Sequence, residues 1–591
     1  MPSCFRSILA ALLLSPCAYA ADFVVTRTDD PVPNGCAPTD CSLREALIAA
    51  NAIEGNDRIL LAAGEYFLSQ SAPPPPEAPG TSGPLPISDS VEIVGVGRDA
   101  TRIVPTLVLG SVLGIGHDSD LVFATLRDLS IEGAVSTAPA PIFANENTRL
   151  RLERVAMRNN TGSTGAIAAV SHLTIIDSLF EANNSVDDGP IVTDLLGPTL
   201  ITGSEFRNNS MYGEFPSVVR MGLPIALAYT PLGDRVVSHN QFAGNLSNGN
   251  GAAVTLLASI GQSRLALTDN RFEDNRSTGR GGALWVGVSP VVPTTRVEVD
   301  VSGSDFLANR ANGGCGAIAF DAPVELLAAP ELNITLAHFA GNQTDGDGGA
   351  LCSTGAITIR QTTFSGNTSN ARGGAIHHDN GLLRIERSTL SNNAATGAGG
   401  AIAAYDPIEI RYSTLDGNTT SLASSGGALY LAHGGGNESL LRHATLFGNR
   451  ANNTPNALRV FSLSNDTSLR LDDSILQGGC TTNAPASLID SRQNIESPGN
   501  TCGLSSAFNS VNVAPATLGL GPLTDNGGPT LTRMPQPGSP ALNRIIMIPS
   551  CTHVDQRGYV GTGGNCDIGA VEAGANPPQP VLPEIFSDDF E

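Results

Sequence analysis

Lysine is absent: all 33 basic residues are arginine, so the chain can hold neither a Schiff-base lysine nor the lysine of a phosphate-binding loop. Acidic residues outnumber basic ones 56 to 33, and the formal charge of −23 excludes nucleic acid and other polyanions as natural partners. Tryptophan occurs once and aromatics make up 5% of the chain, few for a sugar-cleaving cleft, which stacks several rings on its substrate. Charged residues total 15% and there is no long amphipathic period, which leaves little from which to build helices. Beyond residue 20 no stretch approaches the ~20 consecutive apolar residues that a spanning helix needs, so the mature chain is expected to have no transmembrane segment.

What is abundant is glycine, 65 residues, with many Asn, Ser and Thr, the composition of short strands joined by tight turns. Between Met157 and Asn449 a Phe/Leu/Met-x-x-Asn step recurs, ending at Asn160, Asn183, Asn209, Asn245, Asn275, Asn309, Asn342, Asn367, Asn393, Asn418 and Asn449. It is usually followed within about ten residues by Gly-Gly-Ala-Ile/Leu. The spacings run from 23 to 36 about a base of 25, the signature of stacked repeats. A solenoid grows in one dimension, so 591 residues form one elongated body. The expected fold is all-β, a right-handed parallel β-helix with a short N-terminal capping helix and a Cys-containing C-terminal cap.

Each repeated residue has a structural reading. Ile357 with Ile359, Leu383 with Ile385, and Ile408 with Ile410 alternate with polar residues, as in strands buried on one face. The motif Asn tolerates a bend, and its amide can bond backbone and neighbouring Asn from coil to coil. Gly-Gly-Ala allows a sharp corner and close approach of coils. Eleven coils at ~4.8 Å make a rod of roughly 50 Å before the ends are added. The longer spacings between Asn209 and Asn342 must be loops, and local function is expected there. Arg360, Arg384 and Arg411 beside Glu386 and Glu409 read as ion pairs between neighbouring coils.

The ends differ from the repeats. Residues 1–20 read as a secretory signal peptide, with Arg6, the apolar run Ile8 to Leu14, and Ala18-Tyr19-Ala20 before the cleavage point; Pro16 argues against lipidation of Cys17. Residues 21–70 form an N-terminal cap in which Ser42 and Glu45 stand at capping-box spacing and Leu43 and Leu47 share a helical face. The β-helix is assigned to 71–475, its end and cap to 476–572, and a Pro-rich tail to 573–591. Cleavage of the signal removes Cys4 and Cys17 and leaves eight of ten cysteines, an even number in an exported chain. Proximity pairs Cys36 with Cys41, Cys480 with Cys502, and Cys551 with Cys566. Cys315 and Cys352 fit less well: with Ala317 and Ala350 stacked, four strand residues put them roughly 13 Å apart, beyond the ~7 Å limit for a bridge. No bridge is expected there unless the register slips.

Three stretches carry a family resemblance. Cys41-Ser42-Leu43-Arg44-Glu45-Ala46 resembles the motif that names an N-terminal domain of exported β-helix proteins. The Phe-x-x-Asn and Gly-Gly-Ala-Ile/Leu repeat is similar to the passenger repeats of chlamydial polymorphic outer-membrane proteins. Thr524 to Thr530, Gly538 to Ala541, Asp555-Gln556-Arg557-Gly558 and Cys566 to Glu572 resemble choice-of-anchor Q proteins. The resemblance implies an exported right-handed β-helix, often displayed at a bacterial surface, and supplies no catalytic residues. Neither a long C-terminal barrel nor a hydrophobic sorting helix after Glu572 is expected.

Candidate chemistry is sparse. Asp345 with Asp347, Asp187 with Asp188, and His377-His378-Asp379 could supply paired acids for polysaccharide cleavage, yet Asp and Gly also dominate tight bends for conformational reasons. Residues just after the repeat Ile/Leu form an outward row, Trp285, Ala319, Cys352, His377, Ala403 and Tyr430, in which Trp285, His377 and Tyr430 could present a ligand surface. No cofactor and no metal is expected, and the calcium-binding nonapeptide repeat is absent. The favoured function is a secreted or cell-surface structural and adhesive solenoid without a catalytic site, with surface glycans or host or cell-surface proteins as partners. The alternative is a polysaccharide lyase or glycoside hydrolase of the β-helix type.

Overall fold

The computed structural model describes residues 20–577 apart from 71–82, 109, 117–119, 137–139, 171, 187–189, 195–196, 214–215, 223–233, 259–261, 289–295, 323–329, 434–437, 463–466, 484–486, 491–492 and 547–550. The signal peptide, the Pro-rich loop, Asp187, Asp188 and the end of the tail lie outside the described residues.

The chain winds as a right-handed parallel β-helix. Each coil of the Asn repeats contributes a strand to sheet I, sheet II, the narrow sheet III and sheet IV in turn, as in Leu383–Glu386, Thr389–Ser391, Ala394–Ala395 and Ile402–Ala404. Among the described residues the four sheets contain 17, 16, 12 and 15 strands respectively, more than the eleven repeats, because coils before Asn160 and after Asn449 extend sheets I, II and IV and Thr454–Pro455 adds an antiparallel strand to sheet III. Successive coils pair in parallel and in strict register, so Ile357, Leu383 and Ile408 lie in one file and Ile359, Ile385 and Ile410 in the next, all buried. Phe180, Phe206, Phe242, Phe272, Phe306, Phe339 and Phe364 stack face to face with ring centroids 4.6 to 5.0 Å apart, the spacing of the strands themselves. Two of the expected ion pairs between coils are present, Arg360 Nε 3.3 Å from Glu386 and Arg384 Nε 2.7 Å from Glu409, whereas Arg411 reaches Glu409 within its own strand.

The motif Asn residues are fully buried and form a continuous ladder. Asn367 is typical. Its Nδ2 donates to the Phe339 carbonyl at 3.0 Å and to Asn393 Oδ1 at 2.9 Å, while its Oδ1 accepts from Asn342 N–H at 3.0 Å and from Asn342 Nδ2 at 2.9 Å. The bend tolerance attributed to these residues belongs instead to the residue before each: Ala182, Gly366 and Asn392 have φ of +54°, +63° and +54°. The ladder Asn therefore serves as a hydrogen-bonding group. At the next corner Gly373 has φ +67°, and a Cβ on Gly374 would lie 2.1 Å from the Gly400 carbonyl oxygen, so both glycines are required.

A second ladder runs along the turn between sheets I and II. The backbone N–H of Thr362 donates to Ser388 Oγ at 3.1 Å, that of Ser388 to Ser413 Oγ at 3.1 Å, and that of Asn240 to Asn270 Oδ1 at 3.1 Å.

Helix α1 (Leu43–Ala50) seals the N-terminal end. Ser42 and Glu45 form the capping box, and Leu43, Ala46 and Leu47 join the core. Arg44 is buried rather than exposed. Its Nε and Nη2 reach the two Asp30 oxygens at 2.8 and 3.0 Å and its Nη2 also donates to the Gly83 carbonyl, while Asp30 accepts from the amides of Ser69 and Gln70.

The C-terminal cap lies along the flank as well as the end. Gln556 bonds Thr414 and Thr389, Thr389 Oγ1 donates to the Leu531 carbonyl, Gly569 N–H to the Asp473 carbonyl and Ala570 N–H to Thr445 Oγ1. Ile475 and Ile495 of the coils share an apolar cluster with Leu518, Ala541, Ile545 and Ile568 of the cap.

Disulfides join Cys36 to Cys41, Cys480 to Cys502 and Cys551 to Cys566, as proximity suggests. Cys315 and Cys352 are also joined, with Cα atoms 5.1 Å apart, which corrects the expectation that they are too distant. The register has not slipped, since Ile318 still faces Leu351. Cys315, with φ +62°, sits in the folded corner, and the extended geometry that separates the two residues on paper does not apply.

Candidate functional site

The outer face of sheet IV is where side chains other than those of the ladders gather. Trp285, Ala319, Cys352, His377, Ala403 and Tyr430 are consecutive partners in register, so the row read from the sequence exists as drawn. With Arg459 as the next partner, it spans seven coils, roughly 29 Å at ~4.8 Å per step. It is not a bare solvent face, however. Trp285 is 8% exposed and His377 3%, because residues from the corner before sheet IV and from two positions further along the strands fold over them.

At the end nearer the N terminus, Trp285 lies across Gly287, where a Cβ would sit 2.6 Å from the indole ring. Its Nε1–H donates to Asp321 Oδ2 at 2.7 Å, and Arg280 Nη2 holds the other Asp321 oxygen at 2.9 Å. Leu257, Ala319 and the Cys315–Cys352 bridge pack with the indole in a small apolar cluster separate from the core.

Two coils on, Asp347 and Arg372 form a bidentate pair, with Nε–Oδ1 at 3.0 Å and Nη2–Oδ2 at 2.8 Å. His377 Nε2 lies 3.0 Å from Asp379 Oδ1 and 3.9 Å from Asp347 Oδ2. Burial opposes ionisation of Asp347, but Arg372, aided by His377, outweighs it and holds the carboxyl below its ordinary range. The His377 hydrogen bond, against a smaller burial penalty, does the same for Asp379.

Aromatic rings continue the strip. The Arg372 guanidinium stands 5.0 Å over the Tyr405 ring, Tyr405 is 5.5 Å from His377 and 6.0 Å from Tyr430, and Phe461 follows at 6.4 Å with Arg459 above it. Tyr430 is half-buried, and burial raises its phenol above the ordinary value.

Not all sequence candidates come together. Asp345 points away from Asp347, pairing with Arg310 at 3.3 Å and accepting from Asn370 at 3.0 Å, so the two aspartates are not an acid pair. His378 turns inward and reaches the Gly381 carbonyl at 2.7 Å. Tyr405, Phe461, Asp321, Arg280 and Arg372 are the members that sequence reasoning missed. Tyr405 and Phe461 lie two residues beyond Ala403 and Arg459, the strand period that returns a side chain to the same face; Arg280 and Arg372 precede the Gly-Gly corner and carry no periodic signal.

Residues 361–379 match the Chlamydia polymorphic membrane protein repeat, a stretch covering the sheet II and III strands, the glycine corner and the sheet IV strand of one coil. No curated protein matches the chain. Among solved structures, the chain is similar to the catalytic domain of a GH87 α-1,3-glucanase in complex with nigerose, at 11% identity over 79% of this chain and 69% of that one, with a TM-score of 0.27. It is also similar to the PL6 family alginate lyase AlyGC, at 11% identity over 80% of this chain and 89% of that one, with a TM-score of 0.26. At these values neither likeness speaks to activity.

Proposed function

We propose that the chain is an exported, extracellular or surface-associated β-solenoid that acts structurally and adhesively, binding surface glycans or host or cell-surface proteins along the outer face of sheet IV. The observation that carries this reading is the state of the carboxylates. Asp321 is held by Arg280 and Trp285, Asp347 by Arg372, and Asp379 by His377. Acids so engaged serve poorly as a general acid and nucleophile pair, whereas a strip of rings and paired charges offers stacking and polar contacts. Export is supported by four disulfides and by the N-terminal sequence. The repeat match over residues 361–379 and the resemblance of the two terminal motifs support a kinship with exported surface β-helix proteins with a choice-of-anchor end.

A second reading, polysaccharide cleavage, draws on one feature: Asp347 and Asp379 both approach His377, at 3.9 and 3.0 Å. One experiment separates the two. Purified protein is tested for retention on immobilised acidic and neutral polysaccharides and for release of unsaturated or reducing ends. Retention that falls at least tenfold in a Tyr405→Ala/Tyr430→Ala variant, with no product, supports adhesion. Product formation abolished by Asp379→Asn would replace it with the enzymatic reading.

A further inference from the structure

The C-terminal cap contains a cluster of donor atoms apart from the sheet IV face. Cys551 and Cys566 are fully buried and bridged. His553 Nδ1 lies 3.4 Å from Cys551 Sγ and 3.1 Å from Cys566 Sγ, and its Nε2 is 3.9 Å from Glu572 Oε2. One donor atom from each of the four residues lies within 4.8 Å of the others. The imidazole is held in place by rings on the coils, with His443 at 4.6 Å and Tyr412 at 5.4 Å.

A buried carboxylate in this position is costly. Arg557 gives its Nη2 to Asp555 and to the backbone carbonyl of Glu572, while the Glu572 carboxylate accepts from the Asp567 amide. Burial pushes this carboxyl up to about 7. Two sulfurs, an imidazole nitrogen and a carboxylate oxygen together form a four-donor set of the kind that tetrahedral Zn²⁺ takes.

We propose that the dithiol form of the cap binds a thiophilic divalent cation, Zn²⁺ in the first instance, through Cys551 Sγ, Cys566 Sγ, His553 Nδ1 and a Glu572 carboxylate oxygen. Cation and disulfide are then alternative cross-links at one place. The newly made chain carries both thiols, so the cation form needs no reductant; binding releases one proton from each thiol. Conversion of the bridged form requires a dithiol, which delivers two electrons and two protons to the sulfurs and becomes a cyclic disulfide. Either cross-link supports the segment whose Gly569 and Ala570 amides dock on the coils, so the clamp on the flank can form before oxidation.

Co²⁺ is the probe. Full-length protein treated with a dithiol under argon and then desalted should take up Co²⁺ with a thiolate-to-cobalt charge-transfer band and the visible bands of a tetrahedral site, displaced by one equivalent of Zn²⁺. The oxidised protein should show neither. Because the dithiol opens the other bridges too, the comparison is with an equally reduced Cys551→Ser/Cys566→Ser variant, which should lack the one equivalent. Glu572→Gln and His553→Ala should weaken binding by no less than the roughly tenfold that loss of a supporting partner brings. Absence of the charge-transfer band in the reduced wild-type chain, or a band of equal intensity in the double variant, overturns the proposal.

Discussion

Replacing Asn367 by Ala probes the ladder at mid-stack, and its cost can be worked from the contacts. The substitution deletes four side-chain hydrogen bonds in a site with no solvent. Three of the groups left behind keep another partner or lose only one of two bonds: Asn342 Nδ2 retains the Phe306 carbonyl and Asn393 Oδ1 retains the Asn367 N–H, while the Phe339 carbonyl remains in its strand. The Asn342 N–H is left without an acceptor. An orphaned buried donor costs about 1–3 kcal/mol and each of the other three bonds about 0.5–1.5 kcal/mol net, so a loss of roughly 3–7 kcal/mol is expected. In a solenoid the loss is felt mainly by the coil and its neighbours. Amide exchange at Asn342 and along the flanking strands should therefore accelerate by two orders of magnitude or more, while exchange near α1 is unchanged and polysaccharide retention is unaffected. Asn449, whose side chain makes three such bonds rather than four, should cost less. Exchange at Asn342 unchanged within a factor of three would refute the view that the ladder holds the coils in register.

Arg44→Met leaves Asp30 charged and buried, a change that typically costs about 3–5 kcal/mol; a lowered denaturant midpoint with restoration in Asp30→Asn/Arg44→Met should follow, and an unchanged midpoint would remove the ion pair from the account of the N-terminal cap. Cys315→Ser/Cys352→Ser opens a loop whose ends are 37 residues apart, worth roughly 4 kcal/mol on the loop-entropy estimate, and should raise proteolytic cleavage near the Trp285 cluster. Asp347 and Asp379 have carboxyls held below their ordinary range, so they stabilise the fold fully above about pH 4 and lose that contribution as the pH falls through their lower folded values. Melting temperatures from pH 6 to 2.5 should therefore converge with those of Asp347→Asn/Asp379→Asn only at the acid end, and parallel curves throughout would contradict the assignment.

The fold was legible because one residue type recurred. Asn at a spacing near 25, with Phe three before it, marks both a turn and a core file. The second ladder does the same work without a sequence signature, since Ser178, Ser204, Asn240, Asn270, Thr362 and Ser388 share a hydrogen-bonding role and not an identity. The burial of Arg44 has no sequence signal, because its partner Asp30 is distant in sequence and nothing local announces it. The Cys315–Cys352 bridge was misjudged because strand geometry was extended through a corner. On the sheet IV face, Trp285, His377 and Tyr430 could be placed in register from the repeat alone, whereas Arg280 and Arg372 could not, because residues in a bend have no period to follow.

The pattern of chain length around each coil has a physical cause that ties the two ladders to the candidate face. Turns between sheets I and II and between II and III are bonded coil to coil by the ladders, and the glycine corner before sheet IV has no space for a Cβ. An inserted residue at either ladder turn would break bonds in two neighbouring coils. The fourth corner, from sheet IV to sheet I, carries no such ladder among the described residues, and its length varies most: Ser353 to Ala356 and Ala404 to Ile408 are short, whereas Val288 to Arg296, Asp321 to Glu331 and Gly222 to Arg235 are long. The glycine corner varies less, from Gly162 to Ile167 at its shortest to Thr420 to Leu429 at its longest, and the two ladder turns keep one length throughout the repeats. A scaffold whose two ladder turns are fixed and whose sheet IV to sheet I corner varies most can change at that corner without cost to the stack.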